Sequence, residues 1–153
     1  MNLTSRKLLR EDVKGAEGLR LFPYMDCCGK PWRQCPCGFK GKLTIGYGRN
    51  LEDVGLTRLE CEVLLDHDLY QAEYLASKMF DWFGGLSELR QRAITELLFN
   101  MGPSRVRSFR QMIQAIKAKM FKAAAEHLLD SQWKEQVGPT RSNRIAKYLR
   151  DGG

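Results

Sequence analysis

Apolar residues recur at helical spacing over most of this chain, and the places where that period fails are as informative as the stripes themselves. Residues 4–15 put Leu8, Leu9 and Val13 on one face behind Thr4 or Ser5 as cap, which predicts a first helix. The period then disappears across residues 18–51. That stretch is dense in Gly, Pro and Cys and holds short β-type pieces at 21–24 and 42–47, so a small sheet with loops is expected. Thr57-Arg58-Leu59-Glu60 has the form of a capping box and opens a long helix to about Phe80, striped by Leu59, Val63, Leu64, Tyr70, Tyr74 and Leu75. Gly84-Gly85 ends it. Ser87 starts another helix, whose stripe of Leu89, Ala93, Ile94, Leu97 and Leu98 stops at Gly102-Pro103. Shorter amphipathic segments follow at about 108–117, 119–130 and 140–149.

This order of elements predicts an α+β, mostly helical, two-lobed fold. A small hairpin lobe covers about 16–56, a connecting helix about 57–82, and an all-α lobe about 83–153 together with the N-terminal helix 4–15. At 153 residues the chain has the size of a single domain. Hydrophobic residues at 43% and charged residues at 28% are those of an ordinary globule. No apolar run approaches the ~18 residues of a membrane span. The basic start at residues 1–7 lacks an apolar segment behind it, since Arg10, Glu11 and Asp12 intervene, so no signal peptide is expected. A net charge of +7 favours a polyanionic partner: nucleic acid, anionic lipid or an anionic cell wall.

Candidate chemistry is concentrated between Glu17 and Asn50. Glu17 falls where the helix pattern breaks between Gly15 and Gly18, so its side chain can leave the helix end. Asp26 follows Tyr24 and Met25 at the edge of a strand, and Thr44 opens Thr44-Ile45-Gly46-Tyr47-Gly48, whose glycines permit a sharp turn and close approach to a ligand. Two carboxyl groups held a few ångströms apart can act as general acid and general base on a glycosidic bond. With His67 and His127 as its histidines, the chain offers no histidine cluster for metal or triad chemistry.

Glu17-Gly18-Leu19-Arg20-Leu21, Tyr24-x-Asp26 and Thr44-Ile45-Gly46-Tyr47-Gly48 together resemble the catalytic segment of the phage-type lysozymes, glycoside hydrolase family 24, of the T-even kind. The resemblance extends over nearly the whole chain through Phe99-Asn100-Met101-Gly102, Phe109, Trp133 and Arg141-x-x-Arg144. It implies an N-acetylmuramidase that cleaves the β-1,4 bond between N-acetylmuramic acid and N-acetylglucosamine in peptidoglycan, with Glu17 as acid and with Asp26 and Thr44 holding the attacking water. Inversion is implied too, with carboxyl groups roughly 6.5–9.5 Å apart. Asn50, Phe99 and Asn100 fall at substrate-contact positions, and Arg141, with Arg144 as competitor, falls where a family arginine pairs with the catalytic Glu. Met112 and His127 also lie at cleft positions, but as residue types foreign to the family, and His127 reads as exposed or lightly packed. The resemblance further implies a monomeric endolysin without catalytic cofactor. Such a protein is stored in the host cytoplasm and reaches the periplasm and wall once a holin opens the membrane.

One segment departs from the family. The loop between Asp26 and Thr44 is long and holds Cys27, Cys28, Cys35 and Cys37. A structural zinc site, one or two disulfides in an oxidising compartment, and free thiols all remain open, although the spacing is not that of a usual zinc knuckle. Cys61 in the long helix reads as a buried small apolar residue. Two rival functions are weighed. A lytic transglycosylase cuts the same bond without water and leaves Asp26 and Thr44 unexplained. A basic nucleic-acid-binding module would need aromatics interleaved with basic residues on an exposed face, and these are not visible.

Overall fold

The computed structural model describes residues 1–38 and 40–152. They form three short strands and seven α-helices, the α+β and mostly helical composition expected from the pattern. The chain divides into two compact units, Met1–Cys61 and Glu62–Gly153.

The first unit opens with helix α1 (Leu3–Glu17). Its cap is Asn2, whose side-chain oxygen accepts the Ser5 N–H at 2.8 Å, so the helix begins before the Thr4 or Ser5 cap anticipated from sequence. It also runs past Gly15 to Glu17, where Gly18 donates its N–H to Lys14 and closes the last turn. Strands β1 (Arg20–Met25), β2 (Leu43–Gly46) and β3 (Arg49–Asn50) pair antiparallel in that order. Tyr24 faces Thr44 and Met25 faces Leu43, while Thr44 faces Asn50 on the other side. The β1–β2 register is irregular between Arg20 and Tyr24, where Pro23 brings no N–H to the ladder. Arg49 ties β3 to the start of helix α2 (Arg58–Met79), its two terminal nitrogens meeting the Glu60 carboxylate at 2.7 and 2.9 Å. The anticipated capping box is present: Glu60 Oε2 accepts the Thr57 N–H, and the Thr57 hydroxyl oxygen accepts the Glu60 N–H. The Thr57 backbone and hydroxyl donors, aided by Arg49, hold Glu60 below the usual carboxylate range.

Helix α2 continues across the boundary between the units. The second unit is otherwise built from α3 (Glu88–Ser108), α4 (Arg110–Lys117), α5 (Phe121–Leu129), α6 (Trp133–Val137) and α7 (Pro139–Asp151). Its core gathers Ile94, Leu97, Met112, Ile116, Leu128, Ile145 and Leu149 around Trp133, all with under 3% exposure. Each such aliphatic side chain is worth about 1.5–3 kcal/mol in the buried state.

Local expectations are met in part. The stop anticipated at Gly102-Pro103 is present inside α3: Gly102 has non-helical φ +76° and ψ 168°, and Pro103 starts a second helical stretch at the first-turn position where its missing N–H costs nothing. Helix α6, with five residues, is too short to show a period. In α2 the buried positions are Ala72 and Ala76, whose small side chains allow close packing, whereas the larger residues of the anticipated stripe are exposed. Cys61 is exposed too, one residue beyond the paired Glu60, so it is not the buried apolar residue expected.

Candidate active site

The three residues singled out by the sequence all belong to the first unit. Tyr24, Thr44 and Asn50 are directly opposite one another across three strands, so their side chains share a face. Asp26 follows directly after the last residue of β1, where its backbone N–H donates to the Lys42 carbonyl.

The backbone of Lys42 orients both. Its N–H donates to Asp26 Oδ1 at 2.7 Å, and its carbonyl accepts the Asp26 N–H and the Thr44 hydroxyl, each at 3.1 Å. One Asp26 oxygen is thereby occupied, and among the described residues the other takes no hydrogen bond. With its proton directed to Lys42, the Thr44 oxygen keeps lone pairs to offer. Thr44 is only 4% exposed, one of the few buried polar side chains, so its rotamer is fixed by packing as well as by this bond. Gly41 completes the support by close approach: a Cβ there would stand 2.5 Å from Asp26 Oδ1 and 2.7 Å from the Cys27 sulfur.

Glu17 is the last residue of α1, and its carboxylate rests on the turn between β2 and β3. A Cβ at Gly48 would lie 2.8 Å from Glu17 Oε2 and 3.2 Å from its carboxyl carbon, and Gly48 also has φ +78°, so glycine is required on two grounds. Within its own unit, and among the described residues, Glu17 takes no hydrogen bond. The unit thus presents an unencumbered carboxyl over the hairpin turn, and a second carboxylate and a hydroxyl fixed by one peptide group. That arrangement suits proton donation at one point and activation of water at another.

The other candidates divide differently. Asn50 is consumed by its own turn: its oxygen accepts the N–H groups of Glu52 and Asp53, and its amide donates to Asp53 Oδ2 at 2.8 Å. Lys42 and Asn50 hold Asp53 below the ordinary carboxylate range. In the second unit Asn100 Oδ1 accepts the Trp133 indole N–H at 2.8 Å, tying α3 to α6. Phe99 is 41% exposed and borders a groove of about 740 Å³ with Tyr70, Glu73, Arg92, Glu96 and Arg141. Arg141 and Arg144 share Glu96 Oε1 at 2.9 and 2.7 Å. Met112 is a core residue at 1% exposure, and the half-buried His127 borders a depression beside it.

The sulfurs of Cys27, Cys28, Cys35 and Cys37 lie within 4.8 Å of one another, a group able to hold a metal ion. Sequence reasoning missed the Lys42 peptide and Glu96. A backbone group carries no side-chain signal, and Glu96 is one acid among many on a helix; Gly48 was visible only as part of its turn motif.

A model of the phage lysozyme family matches residues 14–146. The chain is also similar to probable T4-type lysozyme 1 of Dictyostelium discoideum, 29% identical over 100 residues, which cover 63% of this chain and 58% of that protein. Probable T4-type lysozyme 2 of the same organism is 33% identical over 70 residues, covering 46% of this chain and 41% of that protein. The match therefore spans less than two thirds of the length of either relative.

Proposed function

The chain belongs to the phage lysozyme family, and from that premise we propose that it is a peptidoglycan hydrolase. It acts as an N-acetylmuramidase on the β-1,4 bond between N-acetylmuramic acid and N-acetylglucosamine. The observation that carries the mechanism is the Lys42 peptide, whose N–H and carbonyl set Asp26 and Thr44 side by side. Glu17 gives its proton to the glycosidic oxygen as the bond to the anomeric carbon breaks. A water held between the free Asp26 oxygen and the Thr44 hydroxyl attacks that carbon from the opposite side and gives its proton to Asp26. The leaving sugar departs with a new hydroxyl, the other half ends as a reducing sugar of inverted configuration, and both carboxyls are then reset by exchange with water.

A lytic transglycosylase needs the acid but no water, and the orientation of Asp26 and Thr44 by a common peptide favours hydrolysis. Mass spectrometry of muropeptides released from purified sacculi separates the two. Reducing ends are expected, and 1,6-anhydro ends would assign the chain to the other reaction. The proposed biological role is that of an endolysin, which matches the family and the net charge of +7 toward an anionic wall. Among the described residues no helix is long and apolar enough to cross a membrane. The endolysin role carries with it the proposal that a holin gives access to the wall.

The Glu17 seat yields a direct expectation. Gly48→Ala forces a side chain into left-handed backbone and into the Glu17 carboxyl. Displacing a reacting group by ~1 Å costs on the order of 10²-fold in rate. Lysis by Gly48→Ala should fall to that extent while its circular dichroism spectrum stays that of the parent. An unchanged rate would show that the turn does not set the acid.

A further inference from the structure

We propose that Cys27, Cys28, Cys35 and Cys37 are a four-thiolate site for one zinc ion that staples the first unit together. Tetrahedral zinc with Zn–S bonds of about 2.3 Å requires sulfur–sulfur edges near 3.8 Å. The Cys27–Cys35 and Cys28–Cys35 sulfurs stand 3.7 and 3.8 Å apart, and all four lie within 4.8 Å of one another. A disulfide would bring two of them to about 2.05 Å. An iron–sulfur cluster, with several metal ions and bridging sulfides between the thiolates, needs a wider cage than these edges enclose.

The spacing that looked wrong for a zinc knuckle is accounted for by two short turns. Met25 accepts the N–H groups of Cys28 and Gly29 through its carbonyl, which folds the first cysteine pair back on the end of β1. Pro31 bridges to Tyr24, a single 3-10 turn (Trp32–Gln34) follows, and the Cys35 N–H closes that turn on the Trp32 carbonyl. The second pair, Cys35-Pro36-Cys37, is thereby delivered opposite the first.

Two independent observations point to a metal. The first concerns what else could stabilise this unit. Among the described residues of Met1–Cys61, Met25 is the buried apolar side chain, and Thr44 is the buried polar one. A unit with so little buried apolar surface gains much from a disulfide or a structural metal. The second is charge. Four thiolates around a divalent cation leave two negative charges, and residues 27–41 contain Lys30, Arg33 and Lys40 with no acid. The site also adjoins the catalytic face, since Gly41 packs against both Asp26 and Cys27.

The test reads metal, not lysis, so it stands apart from the proposed enzymology. Elemental analysis of the full chain, purified under reducing conditions from zinc-replete medium without chelator, should give one zinc per chain. Cobalt exchanged into the chain should show the intense visible bands of tetrahedral thiolate coordination. Cys35→Ser should lose the zinc, and Cys61→Ser, altering a cysteine outside the group, should retain it. Should Cys35→Ser fail to fold, the cobalt spectrum of the parent decides alone. A folded, metal-free chain with all five cysteines reactive would overturn the proposal. So would an unfolded, unreduced chain in which Cys61 alone reacts, because it would show two disulfides.

Discussion

Glu17→Gln should reduce the lysis rate by ~10²–10⁴-fold, the range typical of a lost general acid, while leaving the melting profile of the chain essentially unchanged. The amide is nearly the same shape as the carboxyl and can occupy the same seat over Gly48, so the hairpin turn need not move. What disappears is the proton for the leaving oxygen. Among the described residues of the first unit no hydrogen bond ends on Glu17, so structure depends little on its charge and the effect should fall on turnover. Turbidity decrease on outer-membrane-permeabilised cells measures the rate, and scanning calorimetry controls for folding. Parent-like lysis by a folded Glu17→Gln chain would remove the assignment of the acid.

The second large effect is expected at Asp26, with a different signature. In Asp26→Asn the amide oxygen can replace Oδ1 and keep the Lys42 N–H, at 2.7 Å in the parent. The remaining position then becomes an NH₂ group, which offers protons where the mechanism needs an acceptor. Activity should fall by ~10²-fold or more, less completely than for Glu17→Gln because asparagine still binds water. KM should move little, because the lost interaction belongs to the transition state. Thr44→Val is the companion measurement: it removes the hydroxyl and keeps the shape, and its loss should likewise appear in kcat. A rise in KM alone for Asp26→Asn would mean that Asp26 binds sugar and does not activate water.

Much of this site was legible because its signals are local. Glu17 could be placed at a helix end from Gly15 and Gly18, and the Thr57–Glu60 cap could be read from four residues, because both depend on backbone groups within one turn. The break at Gly102-Pro103 was legible as a break but not as a restart, since proline is equally at home after a helix and in the first turn of the next. Asn50 and Asn100 show the limit more sharply. The letter of an asparagine does not carry the bonds found here, from the Asn50 amide to Asp53 and from the Trp133 indole to the Asn100 oxygen. The cysteines were undecidable for a related reason. Their convergence depends on the Met25 carbonyl and the Pro31 bridge, features of backbone geometry that spacing does not encode.

The pairing of Tyr24 with Thr44 and of Met25 with Leu43 has an evolutionary corollary. These pairs, and the Asp26–Lys42 bonds just beyond them, lock the ladder ahead of the cysteine loop, so the catalytic register is settled before the chain leaves the sheet. Loop length and active-site register are then separable traits. Residues can be gained or lost between Cys27 and Lys40 without turning Asp26 to the opposite face, whereas one residue inserted between Leu43 and Gly46 would invert every side chain after it. A lineage can therefore vary the length of this loop while the Lys42 peptide keeps its bonds to Asp26 and Thr44.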